Sequence, residues 1–213
     1  MRRTLHRADR QVHPGIGVAR CESDRVSQVA ERLSGLPAEV EVWPLYGELA
    51  GERQEAALRP APPGRRKVVL ATAIAETSLT IEGIRVVVDS GLARVARFDP
   101  RSAMSRLETV AASQATATQR AGRAGRLAPG VCYRLWGERE HGARPPQAAA
   151  EMLQADLAPL ALELALWGAG GGEALAFLDP PPAGPLAQAR ALLASLGALD
   201  EAGRPTPHGR TLA

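Results

Sequence analysis

Short apolar runs alternate with helically spaced apolar residues along the first part of the chain. The runs have the continuous apolar character of buried parallel strands and lie at residues 40–47, 67–72, 84–91 and 130–136. Apolar residues recur at the spacing of an amphipathic helix at residues 26–33, 49–58 and 113–125. Strands that alternate with helices predict an α/β fold, in which a parallel sheet carries helices on both faces.

Residues 92–111 interrupt this alternation. Two segments that mix polar and apolar residues flank Asp99-Pro100-Arg101-Ser102, a sequence typical of a turn. We therefore predict a β-hairpin that protrudes from the sheet.

The chain changes character at residues 141–147, which predict a linker. An apolar helix is predicted beyond it at residues 151–168, and a second helix at residues 185–200, as in part of a winged-helix domain. We expect three parts: a poorly ordered segment at 1–24, an α/β domain at 25–140, and a truncated, mostly helical winged-helix-like domain at 148–213.

Arginine supplies nearly all of the positive charge. The 213 residues include 26 basic ones, of which only Lys67 is lysine, and the net charge is +3. This mild excess is compatible with a nucleic-acid partner, although a composition-wide arginine bias would give the same count. Cys21 and Cys132 lie far apart and the four histidines are scattered, so no metal site is predicted. The sequence shows neither a secretory signal nor a membrane span, and we expect a cytoplasmic protein.

Residues 119–126, QRAGRAGR, combine three arginines with two glycines. On a helix Gln119, Arg123 and Arg126 fall at offsets of 0, 4 and 7, so they share one face. We expect the glycines to let the helix lie close to the sheet. A row of guanidinium groups suits a polyphosphate, and an arginine finger can raise the rate of phosphoryl transfer by about 10³ to 10⁵. A solvated basic face is the alternative.

This run resembles motif VI of the DEAH-box helicases of superfamily 2. Residues 71–91, ATAIAETSLTIEGIRVVVDSG, are similar to motif V and its flank, and residues 46–54, YGELAGERQ, resemble the segment after motif IV. Residues 89–115 and 178–213 resemble the bacterial HrpB-like subfamily. The resemblance implies the second of two RecA-like domains of an ATP-dependent helicase, expected to act on RNA, together with the beginning of a winged-helix domain.

The resemblance also implies roles for single residues near the nucleotide. Gln119, Arg123 and Arg126 match positions that contact the ATP phosphates, with both arginines as fingers. Thr80 and Glu82 match positions near the nucleotide. Leu58 stands where many relatives stack an aromatic ring on adenine, so weak base discrimination is expected.

A second group matches positions that contact nucleic acid. Thr72 corresponds to a motif V threonine on the nucleic-acid backbone, and Ser78 lies between the two functions. The hairpin resembles one thought to help part strands, and its Arg94, Arg97 and Arg101 would track phosphates. Ordinary turn or capping chemistry is the alternative for Thr72, Ser78 and Thr80. A charged, solvated edge ribbon is the alternative for the hairpin.

The sequence contains neither a G-x-x-x-x-G-K-[ST] phosphate loop nor a DEAH box. In the family both lie on the preceding RecA-like domain, which holds Mg²⁺. We therefore expect ATP and Mg²⁺ as cofactors, a first RecA-like domain as partner in cis or trans, and no hydrolysis by the chain alone. Two other interpretations stay open: a stand-alone nucleic-acid-binding or regulatory module, and a non-functional gene fragment.

Overall fold

The structure, a computed structural model, describes residues 16–20, 23–72 and 81–213. It divides into two compact units. Unit 1 contains the described residues up to Arg94 together with Val110–Ala148, and unit 2 contains Val95–Thr109 and Ala149–Ala213. The predicted boundary at residue 148 falls next to this division, but the distal part of the hairpin belongs to unit 2.

Unit 1 is built on a five-stranded sheet with the order β2-β3-β1-β4-β7, in which every neighbouring pair is parallel. The strands are β1 (Ile16–Arg20), β2 (Val40–Leu45), β3 (Arg66–Ala71), β4 (Ile84–Asp89) and β7 (Val131–Arg134). Its helices are α1 (Ser23–Arg32), α2 (Gly51–Leu58), α3 (Gln114–Ala121) and α4 (Glu138–Ala143), with a 3₁₀ turn at Gly122–Gly125. The α/β prediction is therefore confirmed.

Strand β1 corrects the expectation of a poorly ordered segment at residues 1–24. Residues 16–20 form the central strand, paired with β3 on one side and β4 on the other. Their sequence, IGVAR, is short and contains a glycine, so its strand signal is weak. Pairing on both sides supplies what the local sequence lacks. Residues 1–15, 21 and 22 lie outside the described part of the chain.

Side-chain alternation along β3 divides the core of unit 1 between the two faces of the sheet. Val69 and Ala71 are fully buried in one cluster with Ala57 of α2 and Ala124 of the 3₁₀ turn. Leu70, which points to the opposite face, is also fully buried, and α1 packs against β2 and β3. Helical segments thus press on the sheet through small or β-branched residues.

Lys67, the single lysine, is buried beneath α2. Its Nζ donates to the carbonyl oxygens of Ala56, Ala57 and Arg59 at 2.8, 3.2 and 2.7 Å. Burial lowers the pKa of this ammonium group, and the nearby charge of Glu41 opposes the shift. Because the last carbonyls of a helix have no partner within the helix, Lys67 ties the end of α2 to β3.

The predicted hairpin is present as a separate two-stranded sheet. Strand β5 spans Leu92–Asp99 and β6 spans Met104–Ala111. In the turn, the Asp99 carboxylate accepts hydrogen bonds from the Arg101 amide at 3.0 Å and the Ser102 hydroxyl at 3.2 Å. These bonds explain why the Asp-Pro-Arg-Ser sequence marks the turn.

Unit 2 is largely helical apart from its part of the hairpin. Its helices are α5 (Ala158–Leu166), α6 (Ala183–Ser195) and α7 (Pro207–Leu212), with a 3₁₀ turn at Glu151–Leu153. The predicted helix at 151–168 is therefore shorter than expected. It begins after Asp156, whose carboxylate accepts the Ala158 amide at 2.9 Å. Helices α5 and α6 share one apolar core that includes Leu162, Leu186 and Leu193.

Candidate nucleotide site

Helix α3 and the turn after it carry the QRAGRAGR residues. The helix is capped by Ser113, whose side chain accepts the Thr116 amide at 3.1 Å. It is α-helical from Gln114 to Ala121 and tightens to a 3₁₀ turn at Gly122–Gly125. The predicted continuous α-helix over 113–125 is thus only partly correct, because the last turn winds more tightly.

A cavity of about 390 Å³ opens beside this turn, lined by Ile81, Glu82, Gly83, Ile84, Arg123, Arg126 and Leu127. It brings Glu82, which lies before β4, together with Arg123 and Arg126. The three charged side chains carry a formal excess of one positive charge. Guanidinium groups on a cavity wall are suited to bind phosphate oxygens, because each offers several donors in a planar fork.

Gln119 is exposed on α3 and does not line this cavity. Arg123 is half-buried and Arg126 is exposed. The structure therefore brings together two of the three residues that the shared helix face joins. The change from α to 3₁₀ winding after Ala121 alters the angular positions that a uniform helix would give.

The explanation offered for the glycines is wrong. Gly122 and Gly125 are exposed, and a Cβ added to either would have nothing within 4 Å. The residues that face the sheet are Ala117 and Ala124, which are 0% and 1% exposed. The tight approach is instead made at Gly130, where an added Cβ would collide with the carbonyl group of Ala124.

Arg120 is buried although it belongs to the same basic run. Its Nη1 donates to Asp89 Oδ1 at 2.9 Å and to the Leu92 carbonyl at 3.0 Å. The side chains of Arg120 and Asp89 are only 2% and 0% exposed. The same Asp89 oxygen accepts the Gly91 amide at 2.9 Å. This ion pair thus connects α3 to the end of β4 and to the start of the hairpin.

Arg144 is a second buried arginine near the same place. Its Nη1 donates to the carbonyls of Gly91 and Ala112 at 2.6 and 3.0 Å, and Nη2 donates to Glu140 at 2.7 Å. The guanidinium carbon lies 4.2 Å from the centre of the Trp136 ring. Gly91 has a φ of +74°, and an added Cβ would collide with both Arg144 and Trp136. Only glycine fits this position.

Within the described part of the chain, the other residues predicted to contact the nucleotide or the nucleic-acid backbone are not among those that line the cavity. Leu58 packs against the core of unit 1 and does not line the cavity. Thr72 is half-buried directly after β3, where its amide donates to the Leu45 carbonyl at 3.1 Å. Ser78 and Thr80 lie outside the described residues.

The hairpin arginines Arg94, Arg97 and Arg101 are all exposed. Arg97 pairs with Glu108 at 3.3 Å, and Arg101 lies 3.7 Å from Asp99 with a side chain 94% exposed. Exposed pairs of this kind contribute about 0–1 kcal/mol to stability, so Arg97 and Arg101 can turn to a ligand at little cost to the fold.

Residues 16–20, 23–72 and 81–213 contain no group of three or more His, Cys, Asp or Glu side chains that could hold a metal ion. Within the same ranges, no helix has the length and apolar character needed to cross a membrane.

Comparison with known proteins decides the family. Residues 17–128 match the family described as the helicase conserved C-terminal domain, which is more than half of the 213 residues. The chain belongs to this helicase family. The match contains all but the first residue of β1, the cavity residues and the whole QRAGRAGR run.

Individual relatives narrow the family to DEAH-box helicases. The chain is 48% identical to the ATP-dependent RNA helicase HrpB of Escherichia coli K12 over 188 residues, which are 88% of the chain and 22% of that relative. It is 40% identical over 191 residues to the probable ATP-dependent RNA helicase DHX34 of Homo sapiens, covering 88% of the chain and 17% of the relative. The recognised DEAH-box, HrpB-like family is thereby confirmed.

A solved structure confirms the RecA-like fold of the helicase domain. The crystal structure of the Escherichia coli DEAH/RHA helicase HrpB superposes with a TM-score of 0.87 at 46% identity, covering 92% of the chain and 25% of that structure. The chain therefore spans between 17% and 25% of the length of these relatives.

The sequence analysis missed two buried residues of unit 1, Arg120 and Arg144. A signal for Arg120 was present, because it lies three residues after Ala117 and four before Ala124, on the face of small apolar residues. Asp89, at the end of the apolar run VVVD, offered a buried counter-charge. Arg144 had no comparable signal, since it lies in the stretch predicted to be a linker.

Proposed function

We propose that the chain forms one wall of an ATP site in an ATP-dependent RNA helicase, and that a first RecA-like domain in cis or trans supplies the other wall. The observation that carries the proposal is the cavity that joins Glu82 to Arg123 and Arg126. Its volume of about 390 Å³ is in the range of small-ligand sites. The relatives named as ATP-dependent RNA helicases support the choice of ATP and RNA.

In this proposal Arg123 and Arg126 bind the oxygens of the transferred phosphoryl group. An arginine stays protonated at any physiological pH, so its donors are always available. Negative charge shifts among these oxygens during phosphoryl transfer, and a preorganised guanidinium stabilises that charge. Gln119, on α3 just before the turn, would contact the same phosphates only when the site is closed by the second wall.

The residues of this cavity do not fit a magnesium site of their own. Mg²⁺ takes oxygen ligands in octahedral geometry, whereas the cavity offers one carboxylate, that of Glu82, beside two cations. We assign the binding of Mg²⁺ to the phosphates and to the first RecA-like domain. Glu82 would lie near the nucleotide and orient the two guanidinium groups.

RNA would be held through its backbone. Thr72 follows β3 at the carboxyl edge of the parallel sheet, where ligands of such sheets commonly bind, and its hydroxyl can donate to a phosphate. Arg94, Arg97 and Arg101 add exposed positive charge along the hairpin. Contacts of this type are not sequence-specific and weaken as the salt concentration rises. We propose that the helicase works on RNA in the cytoplasm.

A stand-alone nucleic-acid-binding module is the second candidate function. The observation that favours it is the exposed positive charge of Arg94, Arg97 and Arg101, which can bind a phosphate backbone without a nucleotide. Such a module would bind RNA through Thr72 and the hairpin, and ATP would leave that binding unchanged.

Reconstitution separates the two functions. The first RecA-like domain of Escherichia coli HrpB, supplied as a separate chain or fused to the N-terminus, should give ATP hydrolysis that neither part shows alone and that single-stranded RNA stimulates. Arg139→Ala removes an exposed arginine of α4 outside the cavity. It is the control for substitutions of the cavity arginines and should leave the rate of ATP hydrolysis unchanged. RNA binding that ATP does not alter, without hydrolysis in any mixture, would support the stand-alone module instead.

A further inference from the structure

The place where the hairpin leaves the sheet is held by two buried guanidinium groups. We call Gly91, Leu92, Ala111 and Ala112 the hairpin root, since β5 begins and β6 ends there. Arg120 donates to the carbonyl of Leu92 at 3.0 Å, and Arg144 donates to those of Gly91 and Ala112 at 2.6 and 3.0 Å. The two strands also meet directly, because the Ala112 amide donates to the Gly91 carbonyl at 2.8 Å.

The two guanidinium groups are attached to different parts of unit 1. Arg144 follows α4 and is paired with Glu140 on that helix. Arg120 lies on α3, and its partner Asp89 Oδ1 also accepts the Gly91 amide. One carboxylate oxygen therefore receives bonds from both the helix and the hairpin root. A movement of α3 must either carry the root with it or break a buried charge pair, which is costly.

Helix α3 connects this contact to the cavity. Arg120 immediately follows Gln119 and lies three residues before Arg123. Arg120 faces the sheet with 2% of its surface exposed, whereas Arg123 lines the cavity through the 3₁₀ turn that follows α3. If a ligand moves Arg123 and Arg126, α3 must move or bend with them. Because Arg120 of α3 donates to the Leu92 carbonyl, that movement reaches the hairpin root.

We propose that Arg120 is a positioning residue that couples occupancy of the phosphate cavity to the position of the hairpin root. The proposal rests on the proposed function, since it takes the cavity to bind phosphates. It adds a series of contacts within unit 1 that leads from the nucleotide to the hairpin root and the neighbouring Arg94. Arg144 holds the root as well, but its bond to α3 lies at the start of that helix, where the Gln114 side chain donates to the Arg144 carbonyl at 2.9 Å. It does not contact the end of α3 that leads into the cavity, so it serves as the comparison.

Hydrogen–deuterium exchange on the whole chain tests the coupling without hydrolysis. Inorganic triphosphate is the probe, and its binding is measured separately by calorimetry. In the wild type, saturating triphosphate should slow amide exchange at residues 91–94 and 110–112 by about fivefold or more, as expected when a local opening is suppressed. Binding without any slowing at the root would overturn the proposal.

Two matched variants distinguish a residue that transmits triphosphate binding to the hairpin root from one that only stabilises the root. Arg120→Lys keeps the charge opposite Asp89 but loses the planar fork, so triphosphate should still bind while the slowing at the root disappears. Arg144→Lys should speed exchange at the root with and without triphosphate, and the ratio between the two conditions should stay as in the wild type. An Arg120→Lys protein that keeps the wild-type ratio would refute the role of Arg120.

The outcomes distinguish this inference from the proposed function. If triphosphate binds neither the wild-type chain nor its complex with the first RecA-like domain of Escherichia coli HrpB, the assignment of the cavity is wrong, and the coupling fails with it. If it binds and the root does not respond, the cavity assignment survives and only the coupling fails. The wild-type comparison decides this by itself, so the test holds even if Arg120→Lys does not fold.

Discussion

Arginines that are neighbours in the sequence occupy opposite environments in the fold. Arg120 is 2% exposed and bonded to Asp89, whereas Arg123 and Arg126 line an open cavity. A buried charge contributes to the fold through the partner that neutralises it, whereas a charge that lines a cavity can act on a ligand. The arginines of one basic motif therefore have two different roles. Substituting Arg120 should change the stability of the fold, whereas substituting Arg123 or Arg126 should change the action on a ligand.

The largest expected effect is a loss of ATP hydrolysis when an arginine that lines the cavity is replaced. Arg126→Ala, in the enzyme reconstituted with a first RecA-like domain, should lower the rate of ATP hydrolysis by about 10³ to 10⁵, because a positioned arginine stabilises the transferring phosphoryl group. Since Arg126 is exposed, the free energy of unfolding should change by less than about 0.5 kcal/mol. Steady-state hydrolysis and urea unfolding measure the two quantities. A destabilised protein with normal turnover would place Arg126 with Arg120 as a structural residue.

Substitutions at the buried Asp89–Arg120 pair should instead change the free energy of unfolding. Asp89→Ala leaves the guanidinium of Arg120 in the interior without its carboxylate, and the free energy of unfolding should fall by about 3–5 kcal/mol. Arg120→Met should cost less, and the double variant Asp89→Ala with Arg120→Met should recover much of the loss. Urea unfolding of the four proteins forms a double-mutant cycle. A coupling energy near zero would show that the two side chains do not stabilise one another.

Gly91 tests whether the hairpin root is as tightly packed as its bonds suggest. Gly91→Ala must hold an alanine at a φ of +74° and push aside Arg144 and Trp136. We expect a loss of at least about 2 kcal/mol in the free energy of unfolding. Gly64→Ala is the matched control, since its φ is +78° but an added Cβ meets nothing within 4 Å.

The control separates backbone strain from collision. Gly64→Ala should lose only the cost of the left-handed conformation, about 1–2 kcal/mol. If both variants lose the same amount, the Arg144 and Trp136 side chains yield easily and the root is not rigid. That result would weaken the proposed coupling through Arg120 as well.

The comparison also marks what the sequence can predict. Continuous apolar runs between helical segments were enough for the parallel sheet, and the family resemblance was enough to connect Glu82 with Arg123 and Arg126. The buried ion pair was out of reach, because Asp89 and Arg120 are 31 residues apart and charge alone predicts a surface position. Strand β1 was missed for a related reason, since its two neighbours, not its own five residues, make it a strand.

The smallest expected effect concerns the glycines that lie between the two classes of arginine. Gly122 has φ −61° and ψ −15°, a conformation open to any residue, and an added Cβ meets nothing within 4 Å. Gly122→Ala should therefore raise the free energy of unfolding by about 0.4–1 kcal/mol, because alanine has fewer unfolded conformations to lose. Urea unfolding of the chain alone measures this gain.

Because the fold does not require a glycine at position 122, we expect that another molecule lies close to it in the complete site. In the reconstituted enzyme Gly122→Ala should slow ATP hydrolysis, because the nucleotide or the first RecA-like domain would come against the space that is open in this chain. A variant that is both more stable and equally fast would show that the glycine serves neither the fold nor the site. The motif would then be reduced to its arginines, divided between those that hold α3 in place and those that meet the phosphates.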